Sequence, residues 1–219
     1  MKKIISILIF ILFAKILFTN NSEAQTAKIN LYSSYYFDDG LEAEVNNISN
    51  LLGTVHGNYQ WGAGVEYIFK ETYGVELIYF GSNTSAVVDF LHNQAVSSDR
   101  TIEMNSSFIM VSGNKYLPVK NSIVNFYGSL MAGMSIFIDK DPLPDKESTY
   151  KNFAWGLRLG SEFKVSKYVG LNLNTQLLST VQPAGRFYVD PRFVNAITSE
   201  TSLYQFSLGG GLCIYFVGK

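Results

Sequence analysis

A chain of 219 residues that is 47% apolar but only 16% charged, with 17 basic against 18 acidic side chains and a formal net charge of −1, offers no basic face for a nucleic acid. Its one cysteine, Cys213, excludes a disulfide within the chain, a thiolate zinc cluster and a CxxC redox pair. Although 15% of the residues are aromatic, mean hydropathy is only +0.10, so apolar residues are spread evenly rather than gathered in blocks.

The first element reads as an export signal. Met1-Lys2-Lys3 provides a positive start, Ile4–Ala14 is an apolar run, and Ser22-Glu23-Ala24 sets small residues around a cleavage site after Ala24. Lys15 interrupts the run before it reaches the roughly 20 apolar residues of a membrane-spanning helix. Residues 1–24 are therefore expected to be a signal peptide and 25–219 a single domain.

From there the period is two. In Tyr59–Phe69, Tyr59, Trp61, Ala63, Val65, Tyr67 and Phe69 share one face, and Gln60, Gly62, Gly64 and Glu66 share the other. Continuing the pattern predicts strands near 27–37, 58–69, 73–84, 101–115, 122–138, 150–164, 168–180 and 200–217. Short turns around Lys70–Thr72, Leu117–Asn121 and Val165–Lys167 alternate with long links at 38–57, 85–100, 139–149 and 181–199. Eight strands joined in this order predict an all-β fold, an eight-stranded antiparallel up-and-down transmembrane β-barrel with short periplasmic turns and long extracellular loops.

The choice between lipid and water outside the barrel rests on which face is bulky. Gly62, Gly64, Gly74, Gly156, Gly160, Gly170, Gly209 and Gly211 fall with the polar residues, whereas Val65, Phe153, Leu157, Leu159, Leu171, Leu173, Phe206 and Leu208 fall opposite them. A soluble barrel keeps its large apolar side chains inside, so this arrangement favours lipid. Tyr59, Trp61, Tyr67, Tyr73, Tyr79, Trp155, Tyr168 and Phe216 are expected at the membrane interfaces, together with Tyr35, Tyr36, Tyr150, Tyr204 and Tyr215.

An export signal, eight alternating strands and the closing segment Gly211-Leu212-Cys213-Ile214-Tyr215-Phe216 resemble the small eight-stranded outer-membrane β-barrel family, of the OmpX and OmpA membrane-domain kind. The resemblance implies an outer-membrane location in a Gram-negative-type envelope, among outer-membrane lipid and lipopolysaccharide. It also implies that Gly211, Ile214 and Phe216 form a signal read by the barrel-insertion machinery. Gly209 and the trailing Val217-Gly218-Lys219 depart from that pattern.

The inward face is expected to carry a charge cluster of Lys28, Glu66, Glu76, Glu103, Arg158 and Glu162. With a tight turn at Lys70–Thr72, Glu66 and Glu76 stand opposite each other and repel unless Lys28 or Arg158 neutralises them. Eight strands leave an interior just filled by side chains, so the cluster reads as a plug. Function then falls to the loops, as a structural or surface-interaction role with an unidentified extracellular partner.

A narrow channel for small solutes is the alternative, and a lipid A-modifying rim enzyme a further one. The enzyme would use His56 or His92, with Ser82, Ser85 and Asp89 nearby, but neither histidine sits in a His-x-Ser-Asn pattern. No catalytic residue, metal ligand or cofactor is predicted. Asp139, Asp141, Asp145 and Glu147 match no calcium-loop spacing and read as a solvated acidic loop. Leu41, Val45, Ile48 and Leu52 recur at helical spacing, suggesting a short helix over the barrel mouth.

Overall fold

The computed structural model describes residues 26–45, 49–92, 95–120, 122–141, 146–183 and 200–217, and its regular elements there are all β-strands. The expected signal peptide lies outside the described residues. The strands are β1 (Thr26–Tyr36), β2 (Asp39–Val45), β3 (Ser49–Val55), β4 (Asn58–Phe69), β5 (Tyr73–His92), β6 (Ala95–Pro118), β7 (Val124–Asp141), β8 (Lys146–Lys164), β9 (Val169–Pro183) and β10 (Glu200–Val217).

Eight of them close into a ring in the order β1, β4, β5, β6, β7, β8, β9, β10, with every neighbouring pair antiparallel. First and last strands seal it, from Thr26↔Val217 to Tyr36↔Ser207. Closure leaves the ring no unpaired strand edge, as hydrocarbon surroundings require. The predicted barrel is therefore the observed one.

Alternation sorts the residues by face. Val65, Leu130, Phe153, Leu159 and Leu173 point outward and are 59 to 70% exposed, whereas Glu66, Glu76, Ser112 and Arg158 on the inner face are essentially inaccessible. Glycine on the inner face makes room for charge. A Cβ on Gly64 would collide with Glu76 Oε1, and one on Gly74 with Glu66 Oε1, so each glycine accommodates the carboxylate on the facing strand. The β4–β5 turn is tight because Lys70 and Glu71 adopt φ of 54° and 52°, the mirror-image turn geometry that matches strand twist.

Several strands are far longer than a bilayer needs, β5 and β6 most of all. Crossing takes about 9 to 11 residues, yet β5 has 20 and β6 has 24. The predicted link at 85–100 is thus largely a continuation of the β5–β6 hairpin, which pairs as far as His92↔Ala95. The first long link departs further from expectation. Leu41, Val45 and Leu52 lie on strands, and β2 pairs with β3 from Asp39↔Val55 to Val45↔Ser49, while Ile48 lies outside the described residues. Helical spacing was a poor guide because the protruding β5 offers an edge, which β3 occupies from Leu51↔Phe90 to Val55↔Ala86. The first link is therefore a hairpin docked on the second one. Its junction with the barrel is tied by the Gly57 amide, which donates to Asp38 Oδ1 at 2.6 Å, and by the Tyr204 amide, which donates to Asp39 Oδ2 at 2.9 Å.

Candidate functional site

The inward side chains nearest the short turns form one network. Lys28 Nζ lies 2.6 Å from Glu162 Oε2 and 3.0 Å from Glu66 Oε2, and donates to Tyr116 Oη at 2.8 Å. Glu66 and Glu76 are direct register partners, and Arg158 Nη1 stands 3.5 Å from Glu76 Oε2. All five charged groups are at most 2% exposed. Glu66 and Glu76 thus stand opposite each other as the turn predicted, with Lys28 beside the first and Arg158 beside the second.

Three carboxylates outnumber two cations, and neutral donors fill the difference. Asn30 Nδ2 bridges Glu66 at 2.9 Å and Glu76 at 2.7 Å, and Asn114 Nδ2 bridges the same pair at 2.8 and 3.3 Å. Tyr116, Tyr32 and Tyr215 donate at 2.6 Å to Glu66, Glu76 and Glu162 respectively. Burying each ion costs several kcal/mol, repaid only when geometry is good and remaining lone pairs are occupied. Arg158 gains further partners in Tyr32 Oη at 2.9 Å and Gln176 Oε1 at 3.3 Å, and its guanidinium lies 4.5 Å from the Tyr32 ring centre. The network draws on β1, β4, β5, β6, β8, β9 and β10 and so reaches across the lumen.

Toward the long loops the described inner face carries no charge. Ile78, Phe80, Met104, Phe108, Met110 and Phe137 enter from β5, β6 and β7, with Leu178 from β9, and the Phe108 and Phe137 rings meet edge to face at 6.0 Å. Ser34, Gln60 and Gln176 face them; Gln176 Nε2 donates to Gln60 Oε1 at 3.0 Å.

Glu103, expected in the lumen, is corrected by this layer. It is exposed on the outer face of β6, because Met104, Ser106, Phe108 and Met110 take the inward phase. Two aromatic assignments change for the same reason: Tyr36 and Tyr215 share the inward phase of Lys28 and Cys213, and both are buried. Sequence reasoning also missed Asn30 and Tyr32 as partners of the charges, although both lie at even spacing from Lys28 on β1, and it missed Asn114 and Tyr116, which lie at odd spacing from Glu103 on β6 and so in the opposite phase to the residue expected inside.

On the outer face, Tyr59 and Trp61 lie at the long-loop end of β4, and Tyr73, Tyr168 and Phe216 near the short turns. Tyr67 is half-buried, and Tyr79 and Trp155 are exposed nearer the long loops. In the closing segment Ile214 and Phe216 face outward, whereas Gly211 faces inward beneath the Leu31 carbonyl, which a Cβ would strike.

The rim residues do not assemble a triad among the described side chains. His56 Nδ1 lies 3.7 Å from Asp38 Oδ2, both exposed, but Ser82 turns inward, where its Oγ lies 2.6 Å from Ser106 Oγ. The His56 amide meets the Ser85 carbonyl at 3.1 Å. The side chains of Asp89 and His92 lie outside those described. Of the acidic loop, Asp139 and Asp141 continue β7 and Glu147 is the second residue of β8, in the register Lys140↔Glu147; Asp145 lies outside the described residues.

An eight-stranded antiparallel ring with bulky apolar residues outside and a polar, glycine-spaced interior is the fold of the small outer-membrane β-barrels. The outer-membrane protein OprG from Pseudomonas aeruginosa has that fold and superposes with a TM-score of 0.61 at 13% identity, over 90% of this chain and 98% of its own. Neisserial surface protein A (NspA) gives 0.48 at 13% identity over 88% and 97%, and a major outer membrane protein from Thermus thermophilus gives 0.48 at 12% over 87% and 99%. No family model and no curated protein matches the chain.

Proposed function

We propose that this protein is exported through its 1–24 segment and resides in the outer membrane of a Gram-negative-type envelope as a closed barrel, with a structural or surface-interaction role and no enzymatic activity. The observation that carries this reading is the buried network of Lys28, Glu66, Glu76, Arg158 and Glu162, which occupies the lumen from wall to wall. Water and ions passing that layer would have to displace charge-assisted hydrogen bonds held in a low-dielectric site.

A plugged barrel leaves its outer surface and its rim to act. The rim has a suitable platform, since β2, β3 and the protruding parts of β5 and β6 pair into one sheet beyond the ring. A hydrogen-bonded sheet presented to the medium suits recognition of an extracellular partner better than an unpaired loop, because less ordering entropy is lost on binding. In this reading outer-membrane lipid and lipopolysaccharide surround the barrel, and the insertion machinery engages Gly211, Ile214 and Phe216.

Fractionation with and without boiling before electrophoresis tests the assignment. An outer-membrane band whose mobility changes on boiling is the expected result; a soluble band indifferent to heat would overturn it. Surface labelling of a cysteine placed in the protruding part of β5 tests orientation, with reaction in intact cells expected.

A further inference from the structure

The lipid-facing surface is not uniformly convex. Lys115 of β6 pairs with Gly128 of β7, Gly128 with Leu159 of β8, Leu159 with Thr175 of β9, and Thr175 with Leu208 of β10, so five outward residues form one row across five strands. Gly128 and Thr175 notch this row, and Ser161 and Gly210 notch the adjacent one. The result is an open groove of about 700 Å3 with apolar walls. A Cβ on Gly128 would meet only Leu159 Cδ2, at 3.4 Å, so the barrel's own packing does not demand glycine there.

The groove has the reach of a lipid chain. Four interstrand steps of about 4.8 Å make the row about 19 Å long. Strands tilted by about 40° turn that length into a climb of about 12 Å along the barrel axis, close to the roughly 15 Å depth of one leaflet's hydrocarbon. The register fixes the sense of the climb: Lys115 lies three residues from the short-turn end of β6, and Leu208 lies nine residues from the corresponding end of β10. The low end is cationic. Among the described residues around the short turns, Lys70, Lys115, Lys120, Lys164 and Lys167 are exposed against one carboxylate, Glu71. Lys115 Nζ sits 3.8 Å from the Tyr73 ring centre, which holds the ammonium at the level of an interfacial aromatic.

We propose that this groove binds one acyl chain of an anionic phospholipid whose phosphate is held by Lys115. The inference rests on the membrane reading, which puts the short turns in the phospholipid leaflet. Native mass spectrometry of the purified, detergent-folded protein tests it, after addition of phosphatidylglycerol or phosphatidylcholine. The wild type should retain one phosphatidylglycerol about fivefold in preference to phosphatidylcholine, the discrimination that one lysine near an anionic headgroup supplies. Lys115→Gln should remove the preference, Gly128→Val should remove retention of both lipids, and Lys70→Gln should change neither. Equal retention of the two lipids by wild type would overturn the proposal. So would undiminished retention in Gly128→Val, or the loss of protein dimers rather than lipid adducts in that variant. A heat-shifted gel band for each variant confirms an intact barrel, and fractionation of cells reports on the membrane reading separately.

Discussion

Near the short turns the lumen is filled by Lys28, Glu66, Glu76, Arg158 and Glu162 with their tyrosine and asparagine partners, whereas near the long loops Phe80, Phe108, Phe137, Met104, Met110 and Leu178 fill it beside neutral amides and hydroxyls. The two layers differ in how they respond to damage. An apolar layer loses contacts in proportion to the atoms removed. An ionic layer is stable only as a complete set, because deleting one member leaves an uncompensated charge in a dry site.

Lys28→Met breaks the comparison most severely. It leaves Glu66 and Glu162 without their shared cation and should cost about 3 to 5 kcal/mol, read as a lower urea midpoint for loss of the heat-shifted band. Adding Glu66→Gln and Glu162→Gln to that variant should recover most of the loss, which a simple packing defect would not allow.

Next comes Leu178→Ala in the uncharged layer, expected to cost about 2 to 3 kcal/mol by cavity formation, with no recovery from changing any charged residue. At the short-turn rim, Glu71→Gly relieves a side chain held at φ 52° and should raise stability by about 1 kcal/mol in the same titration. The smallest effect belongs to Glu103→Gln. Exposed on the outer face, this residue should change stability by less than about 0.5 kcal/mol, in contrast to the equivalent change at Glu66.

The different legibility of the two layers in the sequence has a physical origin. The ionic layer could be read because the Lys70–Thr72 turn is short enough to fix register, bringing Glu66 opposite Glu76, and because Lys28, Arg158 and Glu162 interrupt otherwise neutral inward faces. The uncharged layer could not be read from side-chain size. Phe80, Phe108 and Phe137 are as bulky as the lipid-facing residues, so size alone does not reveal the phase of β6 or show that Glu103 lies outside. Counting in steps of two along β6 from Asn114 puts Phe108 inside and Glu103 outside. The same count along β1 from Lys28 carries Tyr36 inward. The rim was least legible, since the spacing of Leu41, Val45 and Leu52 suits one helix face, and what decides for strand is the β5 edge, contributed by residues 86–90.

The lumen's closure is tested most directly by single-channel recording from pure, folded protein in planar bilayers. Closure by the ionic layer predicts no sustained conductance from the wild type, and intermittent openings once Lys28, Glu66 and Glu162 are all replaced by alanine. Large, stable conductance from the wild type would contradict it.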